Sequence, residues 1–251
     1  MIEASEATTP AALLEFQNSD LGEAFLPPGG GVSVDVLDRC REDGVEEYAG
    51  QPCEMGVDVG FKLHVVVREA RKRRDENEDE GRPAHLWFVA ELDTFQELDG
   101  LMNRFNVERC VIDAQPETRL AREFAVRHRR RVWLARYDRR EPGHERVRGR
   151  GHEASICHVN RAEALDEMFE RFRRRVVTLP LNARGLGGRV KEGLGEYYRQ
   201  LLTPKRTLEQ DGQGNWVARW VDNGRADHYA HAEVYCLLAS WRPPRPGIMS
   251  V

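Results

Sequence analysis

The chain has 251 residues, 40% of them hydrophobic and 32% charged, with a formal net charge of −4. That composition describes a globular domain, or two small ones, with a heavily charged surface. No apolar run approaches the ~20 residues of a membrane span, and "MIEASEATTP" has neither the basic start nor the apolar core of a signal peptide, so the expectation is an intracellular protein. The five cysteines (Cys40, Cys53, Cys110, Cys157, Cys236) show no CxxC pair, which argues against a disulfide framework or a structural zinc site.

The net charge hides an asymmetry. Residues 1–55 hold 12 acids and 2 bases, whereas residues 119–175 hold 17 arginines and 9 acids. Such a basic half is suited to nucleic acid, and equally to a plain solvated surface.

In chain order, residues 1–52 read as an acidic, linker-like segment with a Pro/Gly break at "LPPGGGVSV". Helices are expected over 10–18 and over 34–43, the second capped by Ser33. From residue 53 the pattern becomes strand-like. "CEMGVDV", "LHVVVRE" and "HLWFVAEL" read as three strands, with the charged run "ARKRRDENEDEGRPA" as a solvated loop before the third. "TFQELDGLMNRFN" has apolar residues at 95, 98, 101, 102 and 105, a helical spacing. A fourth strand, "VERCVIDA", a helix, "PETRLAREFAVRH", and a fifth strand, "RRVWLARY", follow. The order βββαβαβ predicts a five-stranded mixed sheet, three strands antiparallel and two parallel, flanked by helices. Ribonuclease-H-like folds share this order.

Beyond it, residues 138–158 read as a loop, "RAEALDEMFERFRRR" as an amphipathic helix, "VVTLP" as a short strand and "GGRVKEGLGEYYRQLL" as loosely helical. "RTLEQDGQGNWVARWV" reads as a hairpin turning at "DGQGN". "DHYAHAEVYCLLASW" is a helix, and "RPPRPGIMSV" (242–251) a flexible tail. The domain proper is thus expected over residues 53–241.

Three acids stand out. Asp58 lies inside an apolar, β-branched strand, where an unpaired carboxylate is costly. Asp113 ends the fourth strand, which lies parallel to the first in the expected fold, so the two acids can meet. Asp227 opens the last helix, where capping alone is sufficient reason for it. Carboxylates gathered in a low-dielectric pocket call for a counter-charge, ordinarily a divalent cation. Three acids on two ions, Mg²⁺ or Mn²⁺, make an arrangement that hydrolyses phosphodiesters. Asp58 would bridge the ions, with Asp113 and Asp227 each holding one.

Accessory candidates are His228 and His231 beside Asp227, and Glu117 four residues after Asp113. His64, on the second strand, reads as structural. Arg127, Arg129, Arg130, Arg139 and Arg140 are candidates for phosphate contacts. The cluster His152, Cys157 and His158 lacks zinc spacing. No GxxxxGK[ST] stretch is present, and neither "GGG" at 29–31 nor "GLGG" at 185–188 makes a phosphate loop, so ATP hydrolysis is not expected of this chain.

"VIDAQPETRLAREFAVRH", "VNRAEALDEMFERFRRRVVTLP" and the final "DHYAHAEVYCLLA" resemble the nuclease domain of phage terminase large subunits. "EFQNSDLGEAFLPPGGGVSVDVLDRC" resembles the segment that joins the packaging ATPase to it. The resemblance runs from about residue 14 to about residue 240. It implies a ribonuclease-H-like, Mg²⁺- or Mn²⁺-dependent endonuclease that cuts concatemeric viral double-stranded DNA in the host cytoplasm, with Asp58, Asp113 and Asp227 as its acids. Its implied partners are the packaging ATPase domain, the portal and the small terminase subunit. The family's ATPase is absent from this sequence, which is read as an excised nuclease domain. Two other readings remain open: a resolvase- or transposase-type nuclease, and a non-catalytic DNA- or capsid-docking module.

Overall fold

The computed structural model describes residues 30–42, 47–70, 83–139, 142–210 and 216–241. The expected helix at 10–18, the charged run at 71–82, the "DGQGN" turn and the tail from 242 lie outside them.

Strands β2 (Cys53–Val59), β3 (Leu63–Glu69) and β4 (Ala84–Leu92) form an antiparallel meander. Helix α2 (Phe95–Arg104) leads to β5 (Val107–Asp113), and α3 (Thr118–Arg127) leads to β6 (Val132–Arg136). β5 pairs parallel with β2, and β6 pairs parallel with β5. The five central strands therefore run β4-β3-β2-β5-β6, the ribonuclease-H-like order that the sequence predicts.

Among the described residues the sheet has nine strands rather than five. On one side β9 (Val177–Pro180) adds parallel to β4, and the two-residue β1 (Arg41–Glu42) adds to β9. On the other, β8 (Ser155–His158) adds parallel to β6, and β7 (Glu145–Val147) closes the edge. β7 and β8 fall inside the expected 138–158 loop. At three and four residues they are too short to show a period, and the pairing of β8 with β6 and of β7 with β8 is what orders them.

Helix α1 (Val34–Arg39) is shorter than expected, and Ser33 caps it by accepting from the Val36 N–H at 3.4 Å. α2 begins with a reciprocal cap between Thr94 and Glu97. α4 (Arg161–Arg173) and the short α5 (Glu196–Leu201) follow, then the expected hairpin of β10 (Lys205–Gln210) and β11 (Trp216–Val221). α6 (His228–Ser240) ends the described chain.

All seven residues of β2 are buried, because helices cover both faces of the sheet. One layer packs Met55, Val57, Val65, Cys110 and Ile112 against α2 and α3. The other packs Val66, Val111, Trp133 and Cys157 against α4, α5 and α6, with Val32, Leu37 and Cys40 joining it. The five cysteines are free and buried, Cys53 and Cys110 in the first layer and Cys40, Cys157 and Cys236 in the second. Burial raises the pKa of each thiol, Cys53 to about 12.

α6 lies directly on β2. A Cβ on Gly56 would come within 2.0 Å of the Ala232 carbonyl oxygen and 2.2 Å of the Cys236 nitrogen, so only glycine permits this approach. Polar contacts fix the helix along its length. The fully buried Arg68 donates from Nε to Glu233 Oε2 at 2.8 Å and from a terminal nitrogen to Oε1 at 2.7 Å. Its other nitrogen donates to the Ala84 and Thr178 carbonyls, and Tyr197 donates to Glu233. At the C-terminal end, Arg109 donates to the Ala239 carbonyl at 2.8 Å and Arg146 to that of Leu238, where cations complement the helix dipole.

Candidate active site

The layout of β2 explains Asp58. Residues 53, 55, 57 and 59 face α2 and α3, while Glu54, Gly56 and Asp58 face α6. The parallel register of β2 and β5 matches Val57 with Ile112, so Asp58 and Asp113 are neighbours at the carboxyl ends of adjacent strands. The antiparallel registers place His64 opposite Asp58 and Glu91 opposite His64. One transverse row thus holds Asp113, Asp58, His64 and Glu91, and the first turn of α6 packs over it.

His228 Nδ1 is 2.8 Å from Asp58 Oδ2. Its ring stacks on His64 at 4.5 Å between centroids and 19° between planes. Asp58, His64 and His228 each offer a ligand atom, and these atoms lie within 4.8 Å of one another. Among the described residues this is the set that meets that distance, and Asp113 and Asp227 fall outside it. The structure thus brings Asp58 together with two histidines more closely than with the other two acids.

Asp113 accepts from the Tyr235 hydroxyl at 2.8 Å and from the Gln115 N–H at 3.0 Å. Burial raises its pKa, those two donors oppose the shift, and the Asp58 charge adds to it. Asp227 occupies the N-cap position of α6 but makes no side-chain cap hydrogen bond. His231 Nε2 is 3.2 Å and Arg161 4.0 Å from its Oδ2, which is buried and has no hydrogen-bond partner. Burial works to raise the Asp227 carboxyl, but His231, Arg161 and His228 together hold it below the ordinary value. His231 Nδ1 meets the Tyr137 hydroxyl at 2.8 Å, and Tyr137 stacks on Tyr235 at 5.7 Å. A chain of contacts thus links Asp227 to Asp113 through His231, Tyr137 and Tyr235.

The two stacked histidines differ. Burial, reinforced by the charge of His228, lowers the His64 pKa to about 4. The Asp58 hydrogen bond raises that of His228 against the effect of burial. His64, read from the sequence as structural, has a ligand atom within 4.8 Å of those of Asp58 and His228. Its place across from Asp58, on strands joined by the short "GFK" turn, was the available signal. Glu91, 3.5 Å from His64 Nε2, was also missed, because its register depends on a pairing across the 71–82 run.

Glu117 sits exposed at the N-cap position of α3 and makes no side-chain cap hydrogen bond. Arg127 pairs with Asp99 at 2.9 Å. Val132 matches Cys110, so Arg127, Arg129 and Arg130 lie near the amino end of β6, about 15 Å along the sheet from Asp113. Arg139 lies beyond the carboxyl end of β6, the acids' end, and pairs with Glu145 at 3.2 Å. Arg140 lies outside the described residues. Arg161 also donates to the Trp220 carbonyl at 3.2 Å, which ties the base of the hairpin to the neighbourhood of Asp227.

The donor set suits a divalent cation. It offers carboxylate oxygens and imidazole nitrogens, a buried Asp227 oxygen met by His231 and Arg161, and a buried His64 Nδ1 without a hydrogen-bond partner. Leaving such a nitrogen unsatisfied costs about 1–3 kcal/mol.

Fold and site together define a ribonuclease-H-like α/β domain with an acidic, histidine-lined centre. Among solved structures the chain is similar to crystal structures of the large terminase nuclease from thermophilic phage G20c. One aligns with a TM-score of 0.43 and 11% identity over 77% of this chain and 86% of the other. A second, with bound cobalt, aligns with a TM-score of 0.46 and 13% identity over 84% of this chain and 98% of the other. No family model matches the chain, and no curated protein does. No helix among the described residues is long and apolar enough to cross a membrane.

Proposed function

We propose that this chain is a metal-dependent endonuclease that cleaves double-stranded viral DNA during genome packaging, as the nuclease of a terminase large subunit does. The observation that carries this reading is the placement of Asp58 and Asp113 at the carboxyl ends of adjacent parallel strands, beneath the helix start that bears Asp227. The sequence resemblance supplies the substrate and the setting: concatemeric DNA, the packaging ATPase domain, the portal and the small terminase subunit, in the host cytoplasm. Residues 1–52 then contain the segment leading from the ATPase, with α1 and β1 within them packed onto the sheet of the nuclease that residues 53–241 form.

In this reading Asp58, Asp113 and Asp227 hold two ions, Mg²⁺ or Mn²⁺, with Asp58 between the other two. Ions bound there supply the charge that makes an attacking water acidic and stabilises the leaving 3′ oxygen. The protein's task is to hold three carboxylates in place and aimed. Tyr235 and the Gln115 N–H orient Asp113, His231 and Arg161 keep Asp227 charged, and His228 orients Asp58. Arg139, at the acids' end of the sheet, is placed to meet the DNA backbone, whereas Arg127, Arg129 and Arg130 would contact a duplex extending past the far end. No base-reading helix is apparent among the described residues, so phosphate contacts dominate binding in this reading.

The test is cleavage of supercoiled plasmid with Mg²⁺, Mn²⁺ or EDTA, comparing the wild type with Asp58→Asn. Metal-dependent nicking and linearisation that disappear in the variant support the reading. DNA binding without cleavage under either metal points instead to a docking module.

A further inference from the structure

His64 has no place in a site made only of acids, yet it is buried directly across from Asp58. The residue is 5% exposed, its Nδ1 has no hydrogen-bond partner, and its Nε2 is 3.5 Å from the Glu91 carboxylate, too far for a good hydrogen bond. A histidine kept for packing normally satisfies its ring nitrogens. The His64 ring instead stacks on His228, whose own Nδ1 faces Asp58. Two imidazoles from β3 and α6 and one carboxylate from β2 thus converge, their donor atoms within 4.8 Å of one another.

We infer that Asp58, His64 and His228 form a two-histidine, one-carboxylate binding site for a borderline first-row transition ion, in the range Mn²⁺ to Zn²⁺, that discriminates against Mg²⁺. The inference rests on the nuclease reading only in placing this site at the same centre, and it changes the identity of the metal. Mg²⁺ demands oxygen ligands and gives up water reluctantly. Imidazole nitrogen suits the transition ions, and three protein ligands with open positions form the arrangement that leaves room for water and substrate. The centre is then asymmetric. Asp58 is shared between an imidazole-rich side, with Glu91 alongside, and an oxygen-rich side formed with Asp113.

Strand register builds the site. Asp58 and His64 face each other because Val59 pairs with Leu63 at the close of the β2–β3 turn. His228 reaches them because Gly56 lets α6 lie against β2.

Co²⁺ is the probe. It is titrated onto the full chain and followed by visible absorption and by proton NMR, in which histidine ring N–H protons near Co²⁺ shift far from the normal range. The expected result is saturable Co²⁺ binding with shifted signals from two rings. His64→Ala and His228→Ala should each remove one of these signals and weaken Co²⁺ and Mn²⁺ binding at least about 10- to 100-fold. The weaker Mg²⁺ binding should change less than about threefold in both variants. His228 is half-buried at the helix start, so its variant stays informative if His64→Ala fails to fold. Co²⁺ binding without shifted ring signals, or undiminished in His228→Ala, overturns the inference, as does Mg²⁺ competing on equal terms with Mn²⁺.

The plasmid assay separates the two proposals. Co²⁺ held by both rings in a protein that cuts nothing leaves the metal site standing and removes the nuclease. Mg²⁺-driven cleavage with full Co²⁺ affinity in both histidine variants does the reverse.

Discussion

His64 stands directly across from Asp58 on the β2–β3 pair, and its ring lies 4.5 Å from that of His228. An acid in a buried strand is therefore met by two imidazoles, one from the neighbouring strand and one from the covering helix.

This relationship makes Asp58 the most sensitive position in the site. Asp58→Asn keeps the volume and removes the charge. Cleavage should fall by more than about 100-fold, since even outer partners of metal ligands are worth 10- to 100-fold. An unchanged far-UV spectrum alongside lost plasmid nicking is the expected pair of readouts. Cleavage that persists would place the active site elsewhere.

Metal should stabilise the fold in proportion to its binding. At 100 times its dissociation constant, an ion that binds only the native state adds about 2.7 kcal/mol, or several degrees in Tm for a chain of this size. A thermal melt with Mn²⁺ should show this rise, and EDTA should abolish it. In Asp58→Asn the two melts should coincide.

Acid stability should carry the mark of His64. Its pKa falls from 6.5 to about 4 on folding, because burial and the His228 charge outweigh Asp58. The unfolded chain therefore binds more protons between those values. The stabilisation is fully present above pH 6.5 and is lost as the pH falls towards 4, at up to about 1.4 kcal/mol per pH unit. Urea unfolding of the metal-free protein across this window should show the slope, and His64→Leu should flatten it. His228, raised by Asp58, loses its own contribution only as the pH rises above 6.5, and because its charge helps to lower His64, the slope between pH 4 and 6.5 should become shallower in His228→Ala.

The Gly56 contact makes a test that touches no site residue. Gly56→Ala drives a methyl group into the α6 backbone, and overpacking of this kind costs about 1–3 kcal/mol or more. Cleavage should fall along with stability, because His228 moves away from Asp58 as the helix lifts. A stability loss with full activity would show that the helix start moves independently of its middle.

Breaking the buried pair should cost more. Arg68→Met leaves the buried Glu233 without its cation and with Tyr197 as its remaining donor, a change worth about 3–5 kcal/mol. Arg68→Met combined with Glu233→Leu should recover much of that in a denaturant melt.

The sequence revealed the fold where elements were long. β2 to β6 and their helices show clean periods, and an acid that interrupts one of those periods, as at Asp58 and Asp113, is conspicuous. β7 and β8 were not legible, because strands of three and four residues take their order from a neighbour. His64 was hidden for a different reason. A histidine alternating with valines is ordinary in a strand, and its meaning lies in the residue opposite. The Arg68–Glu233 pair spans 165 positions and has no local sign at all. Gly56 did have one, since a glycine inside a buried strand marks a close backbone approach.

The cysteines have a practical consequence. Two lie in the layer under α2 and α3 and three in the layer under α4, α5 and α6, all of them shielded and with raised pKa values. A thiol reagent therefore reacts only when a layer opens. Mapping which cysteines are modified first under mild denaturant reads out, side by side, the lifetimes of the two halves of the molecule. Adding metal should lengthen the lifetime chiefly of the half that contains Cys236, the cysteine of the helix that carries His228.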